Sequence, residues 1–335
     1  MSAVDFDFTS FGARKEVRFG ADPNDPAGHI WNFGVAPKNT EVETLIQATP
    51  SLYQRFPNLQ GKWDGKTRVN HHEAVRKVLG GDIKAQYQVR GTCGGRAGSQ
   101  GLDILQCVLI ASGKRAKFHR VSHAAVYYFA RKKYGMLSGN PNDENNDGVA
   151  GGSVPEILSE MGAVQREEDN DSNFYGDGSD DLACLWGCGR ITPQLAKTLA
   201  DFGKDNLVTA KVRAKSAQEC ADGLAAGGVI IQSDSQGYSM QRDSEGVCRA
   251  QGTWAHYQIR TGVGVTPRGR KVFDYNQSWG VDTPSGSLLP GCPGNCFGVE
   301  WDVQDHLCRT GEVDIIFGFD PFDLENDNYD LPWVF

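Results

Sequence analysis

The hydrophobic period changes once along this 335-residue chain, near Gly227-Gly228, and that single change limits the folds open to it. Before it, apolar residues recur at helical spacing between turn signals; after it come short β-rich runs. Leu102, Leu105 and Leu109, with Ile104 and Val108 beside them, predict an apolar helix that begins at Cys93 and ends at Gly113. Asn70-His71-His72-Glu73 opens a short helix stopped by Gly80-Gly81, and Ser122 to Tyr134 reads as another, closed by Gly135. Two further helices start with capping boxes, Ser153…Glu156 and Ser216…Glu219. Val229-Ile230-Ile231 then reads as a buried strand. Trp254–Val265 and Lys271–Tyr275 form a hairpin around the turn at 266–270, and Val313–Phe317 is a late strand.

Helices first and strands second predicts an α+β chain: a helical half over about 85–200, a β half over about 205–320, and a cleft between them. Residues 1–75 form an irregular N-terminal arm or pro-segment-like extension ahead of one domain at 76–335. Such an arm reads as wrapping another surface, its own or that of a protein partner. Residues 166–181 hold seven acids and read as a solvated loop.

The net charge of −8 argues against nucleic acid as a partner, because phosphate contacts need a basic face. No apolar run approaches the roughly 20 residues of a membrane helix. The first residues show no basic stretch followed by an apolar one, so no secretion signal is expected. The expected setting is therefore cytoplasmic or virion-associated, with reduced thiols. Cys184/Cys188 and Cys292/Cys296 share a C-x3-C spacing, read as free or locally bonded cysteines ahead of an all-thiolate zinc site. Residues 143–148 fit the opening of a calcium loop, but Val154 stands where a glutamate ligand is needed, so a polar turn is the preferred reading. Adjacent helical residues point apart, so His71 and His72 are not expected to share an ion.

Nucleophilic chemistry is suggested by Cys93. It opens a helix, where unpaired backbone N–H groups and the helix dipole favour a thiolate. His256, in a strand flanked by apolar residues, is the candidate general base. An amide from Asn276 or Gln277 is the candidate to orient its ring, with Trp279 shielding that contact. Gln88, five residues before Cys93, is the candidate oxyanion donor beside the Cys93 N–H. Cys, His and an amide in this order fit nucleophilic acyl transfer.

These segments resemble the papain-like cysteine peptidases, and the bacterial and phage branch in particular. Arg90-Gly91-Thr92-Cys93, the helix at 121–135, Asp147 to Gly152, the helix and strand at 215–231, the His256 segment at 255–264 and the segment at 276–280 follow the family's order over about 85–305. The resemblance implies a papain-like fold, a helical domain packed on an antiparallel β-barrel-like domain with the active-site cleft between. It implies hydrolysis of peptide or protein substrates without a cofactor, Cys93 as nucleophile, His256 as base and then acid, and Gln88 in the oxyanion hole. Gly151 and Gly152 would offer backbone to an extended peptide. The chain departs from the family where Gly94, Gly95 and Arg96 follow the cysteine, where Tyr87 takes the usual glutamine position, and where Gln277 takes that of the asparagine. These departures leave a second expectation, a catalytically degenerate member with an assembly role, for instance in a virus particle.

Overall fold

A computed structural model describes residues 48–318 apart from 86–87, 89–90, 116, 138–147, 163, 165–179, 203–207 and 282, together with residues 9–10, 13–14, 31–32, 35–36 and 44. In chain order it holds β1 (Thr9–Ser10), β2 (Ala13–Arg14), β3 (Trp31–Asn32), β4 (Val35–Ala36), α1 (Leu52–Arg55), β5 (Val69–Asn70), α2 (His71–Leu79), α3 (Cys93–Ala111), α4 (His123–Lys133), β6 (Val149–Ala150), α5 (Ser153–Met161), α6 (Asp180–Gly187), α7 (Pro193–Phe202), β7 (Ala210–Arg213), α8 (Ala217–Ala225), β8 (Val229–Tyr238), β9 (Ala250–Val265), β10 (Lys271–Asn276), β11 (Cys296–Glu300), α9 (Trp301–Thr310) and β12 (Glu312–Phe317).

The expected α+β order is present. The β half is an antiparallel sheet in the order β11-β10-β9-β8-β12-β7, with β5 also on β9. The sheet stays open and does not close into a barrel. β9 is its longest strand, 16 residues, and carries the hairpin to β10 through Thr266 N to Arg270 O at 2.8 Å. The helical half surrounds α3, which is buried from Cys93 to Leu109. Its leucines do face the core, but its glycines set how closely neighbours approach. A Cβ on Gly101 would lie 3.3 Å from Ile231 Cδ1 on β8, and one on Gly95 2.6 Å from the His123 carbonyl on α4. A side chain at 95 would collide with backbone, and one at 101 would be tight.

Local chemistry fixes the helix ends. Asn70 accepts from His72 N at 3.0 Å, and Gly80 closes α2 in the left-handed region, φ 74°. Ser216 accepts from Glu219 N at 3.2 Å to open α8. The capping box expected at Ser153 is not formed. Gly152 is the cap, at φ 74°, Ser153 lies within the first turn and donates to Ala150 O at 2.6 Å, and Glu156 pairs with Lys211.

Two other expectations change. Asp180, read as part of a solvated acidic loop, opens α6 and is buried; its acids at 167–177 and the candidate calcium loop at 143–147 lie outside the described residues. From Ser51 onward, the stretch expected to be an arm is built into the body. Leu52, Phe56, Leu59, Trp63 and Val69 all join the main core. Asp222 on α8 accepts from Tyr53 Oη at 2.6 Å, Gly61 N at 2.9 Å and Trp63 N at 2.7 Å, which fastens the segment down.

Upstream of it, β3 runs parallel to β9 at Trp254–Ala255, and β4 runs parallel to β6 at Val149–Ala150. Among the described residues, no helix is long and apolar enough to cross a membrane.

Candidate active site

Three segments meet where α3 begins. Gly94, directly after Cys93, abuts Val149 of β6 and Tyr257 of β9 so closely that a Cβ there would touch Val154 Cγ2 at 3.1 Å and Tyr257 Cδ2 at 3.3 Å. Tyr257, directly after His256, donates from its hydroxyl to Ala150 O at 2.6 Å. The neighbours of Cys93, His256 and Gly151 therefore pack on one another, which brings the helix start, the central strand and the Gly-Gly turn to one place. Cys93 is the first residue of α3 and is buried.

His256 is also buried and stacks on Trp279, ring centroids 4.7 Å apart and planes within 15°. Burial, with a smaller push from the nearby Arg260 charge, brings its pKa down to about 3. In this arrangement the imidazole is neutral at ordinary pH. Trp279 in turn meets Trp254 edge-on at 5.0 Å.

Gln88 is buried against the same segment. Its backbone N–H donates to Ser278 O at 2.7 Å, and Ser278 Oγ donates to Gln88 Oε1 at 2.7 Å. With the carbonyl end held by Ser278, the Gln88 NH2 end is the one turned away from that segment. Gln88, Ser278, Trp279 and His256 thus form one continuous row of contacts.

The two candidate orienting amides are not in that row. Asn276 points to another cluster: its Nδ2 lies 3.1 Å from His72 Nε2, and its Oδ1 accepts from Cys296 Sγ. Gln277 spends both ends within its own turn, Nε2 donating to Thr283 O and Oε1 accepting from Trp279 N. The ring of His256 is thus held through its face by Trp279, with neither amide side chain on its edge.

The Gly-Gly turn is braced from beneath. Gly152 N donates to Ser233 Oγ at 3.2 Å, and Ser233 Oγ donates to Glu312 Oε2 at 2.8 Å. A Cβ on Gly151 would lie 2.8 Å from that same carboxylate oxygen. Glycine is favoured at 151 by this close approach and at 152 by its positive φ.

A second buried group supports the helix start and was not legible as such in the sequence. Asp180 accepts from Thr92 Oγ1 at 2.5 Å, from Arg96 Nε at 2.9 Å and from Arg96 Nη2 at 2.7 Å. Thr92, the residue before Cys93, therefore gives its hydroxyl to Asp180 and leaves the first N–H groups of α3 without a side-chain cap. The signal available was Asp180-Asp181 ahead of the apolar run Leu182 to Trp186, an acidic first turn.

Among the described residues, no group of three or more His, Cys, Asp or Glu side chains could hold a metal ion. The four thiols of the two C-x3-C pairs are not gathered: Cys184 is within α6 and Cys188 just after it, whereas Cys292 and Cys296 pack with Val247, Val272 and Leu289.

No family model matches the chain, and no curated protein matches it. Solved structures do. Xylellain, a cysteine protease from Xylella fastidiosa, superposes with a TM-score of 0.52 at 14% identity, over 85% of this chain and 96% of that one. Procathepsin B S9 from Trypanosoma congolense gives 0.51 at 9% identity, over 84% of this chain and 85% of that one. The chain therefore has the α+β fold of the papain-like cysteine proteases.

Proposed function

We propose that this chain is a cysteine peptidase of the bacterial and phage kind, described here in a latent form. The observation that carries the reading is the meeting of the Cys93, His256 and Gly151 segments through Gly94, Tyr257 and Ala150. In the open enzyme, the Cys93 thiol passes its proton to His256 and the thiolate adds to a peptide carbonyl. The oxyanion accepts from the Cys93 N–H and from Gln88 Nε2. His256 protonates the leaving amine, which leaves a thioester. Water, deprotonated by His256, cleaves the thioester and frees the acid. Gly151 and Gly152 present backbone to the extended peptide.

Latency rests on two observations. Cys93 and His256 are buried, and a neutral imidazole with its pKa near 3 disfavours the ion pair. β3 (31–32) lies beside the residues before His256 and β4 (35–36) beside those before Gly151. The arm acts as a strand laid over the site, and its departure exposes the pair.

Selective alkylation tests this. Iodoacetamide and a peptidyl epoxide should modify Cys93 faster than the other eight cysteines once the arm is cut away, and His256→Ala should abolish the advantage. Equal labelling of all nine would instead support the degenerate, assembly-type reading, which the engagement of Asn276 and Gln277 away from His256 favours. A peptide library then separates hydrolysis from transfer to amines.

A further inference from the structure

The space beneath the Gly151-Gly152 turn is filled by a row of side chains that crosses three strands. Successive residues of β9 point to opposite faces, so His256 stacks on Trp279 while Tyr257 turns the other way, toward α3 and the turn. Ser233 of β8 stands directly opposite Tyr257, and Glu312 of β12 directly opposite Ser233. The Tyr257 ring lies against the start of α3, where a Cβ on Gly94 would come within 3.3 Å of its Cδ2, and the residue is buried. Its hydroxyl donates to Ala150 O at 2.6 Å, and Ser153 Oγ donates to the same carbonyl at 2.6 Å. Next in the row, Glu312 Oε2 and Ser233 Oγ lie 2.8 and 3.3 Å from the place a Cβ on Gly151 would take. The row therefore stands so close to the turn that even one added carbon on Gly151 would collide with it.

An extended peptide paired with a strand edge sends every second side chain to the same face. At this edge one of the two faces is the row of Tyr257, Ser233 and Glu312. We propose that Tyr257 determines specificity here, and that the substrates are peptides with glycine or alanine at the position seated against Gly151-Gly152, larger side chains being excluded. The inference rests on the peptidase reading and names the substrate class of that same site. Charge does not rescue a longer side chain. The Glu312 carboxylate already accepts from Ser233 Oγ at 2.8 Å and is buried, so lysine is excluded as leucine is. The chain's own strand at this edge agrees: β4, paired with Val149 and Ala150, is Val35-Ala36, two short residues.

Two substitutions separate the filling of space from the hydrogen bond. Tyr257→Phe keeps the ring and loses the bond to Ala150 O, so the preference for small residues should remain. Tyr257→Ala removes the ring and leaves room beside the turn, so the preference should flatten. A purely structural role for Tyr257 would lower the reaction with every peptide alike and leave their ratios unchanged.

The test uses the full-length chain and epoxide-capped tripeptides varied one position at a time through glycine, alanine, leucine, phenylalanine and lysine. The rate of Cys93 modification is read by peptide mass spectrometry. The arm's cover slows every probe by a common factor, so the ratios between probes are unaffected by it. At one position, glycine and alanine should react at least ~10-fold faster than leucine, phenylalanine and lysine. The ratio should persist in Tyr257→Phe and shrink toward one in Tyr257→Ala; should the alanine variant fail to fold, the ratios in the parent chain decide the matter. If labelling depends on the peptide and on His256, yet a larger residue is accepted equally or better at every position, the peptidase reading stands and this inference is overturned. If neither the peptide nor His256→Ala changes the labelling of Cys93, the peptidase reading falls and takes the inference with it.

Discussion

Starting the chain at residue 48 and starting it at residue 66 should give opposite results. The first cut removes β3 and β4, which contribute only two residues each to their pairings. At a net ~0.5–1.5 kcal/mol per backbone hydrogen bond, that is a loss of a few kcal/mol at most. The second cut also removes Leu52, Phe56, Leu59 and Trp63, all at most 3% exposed. Each such side chain contributes about 1.5–3 kcal/mol, so the loss is about 6–12 kcal/mol in all. It also strips three hydrogen-bond donors from the buried Asp222. Against a total stability of roughly 5–15 kcal/mol, the shorter chain should not fold. Thermal unfolding by circular dichroism reads the first difference: a cooperative transition for 48–335 and none for 66–335. Alkylation of Cys93 reads the second, faster in 48–335 than in the full chain. A cooperative transition in 66–335 would refute the assignment of residues 51–65 to the body. Unchanged alkylation in 48–335 would refute the covering role of β3 and β4.

Other outcomes follow from single contacts. Gly94→Ala gains about 1 kcal/mol of helix propensity but drives a methyl into Val149 and Val154, at a cost of about 1–3 kcal/mol, so urea denaturation should show a net loss. Asp180→Asn removes the carboxylate charge that faces the buried Arg96 guanidinium and should cost about 3–5 kcal/mol in the same assay. Acid should unfold the chain early. His71, His72 and His256 have folded pKa values of about 4, 3 and 3, below the unfolded value, so their contribution is complete above pH 6.5 and is lost as pH falls toward 4. Each gives up about 2 kcal/mol by pH 5, measurable as a falling urea midpoint; a flat midpoint from pH 7 to 5 would contradict their burial. Ser278→Ala removes the hydroxyl that donates to Gln88 Oε1 and should lower kcat about tenfold in the arm-free chain while KM changes little.

The helices and strands with strong periods were legible in the sequence, because one face of each meets the core: α3, α4, α8, β9 and β10 fall where their apolar residues place them. What was not legible depends on partners distant in sequence. Asp180 looks like a solvated acid until Arg96 and Thr92, more than 80 residues earlier, are seen to surround it. Ser153 has a capping-box spacing, yet Gly152 takes the cap because Ser233 and Glu312 hold the turn from another strand. The orienting amide was sought by spacing alone, but strand alternation sends Asn276 to His72 and a local turn consumes Gln277. Gln88 was placed near the site by its distance from Cys93, and Ser278 is what fixes its orientation.

The parallel contacts of β3 and β4 make competition a question of concentration. A strand joined to the body by a dozen residues, from Ala36 to Thr49, presents itself at an effective concentration of about millimolar order. If the arm covers the site as proposed, an incoming peptide of ordinary affinity is outcompeted while that tether is intact. One nick anywhere between those residues turns the strand into a dilute ligand with two short pairings, so a single hydrolytic event would switch the molecule without changing any contact inside its core.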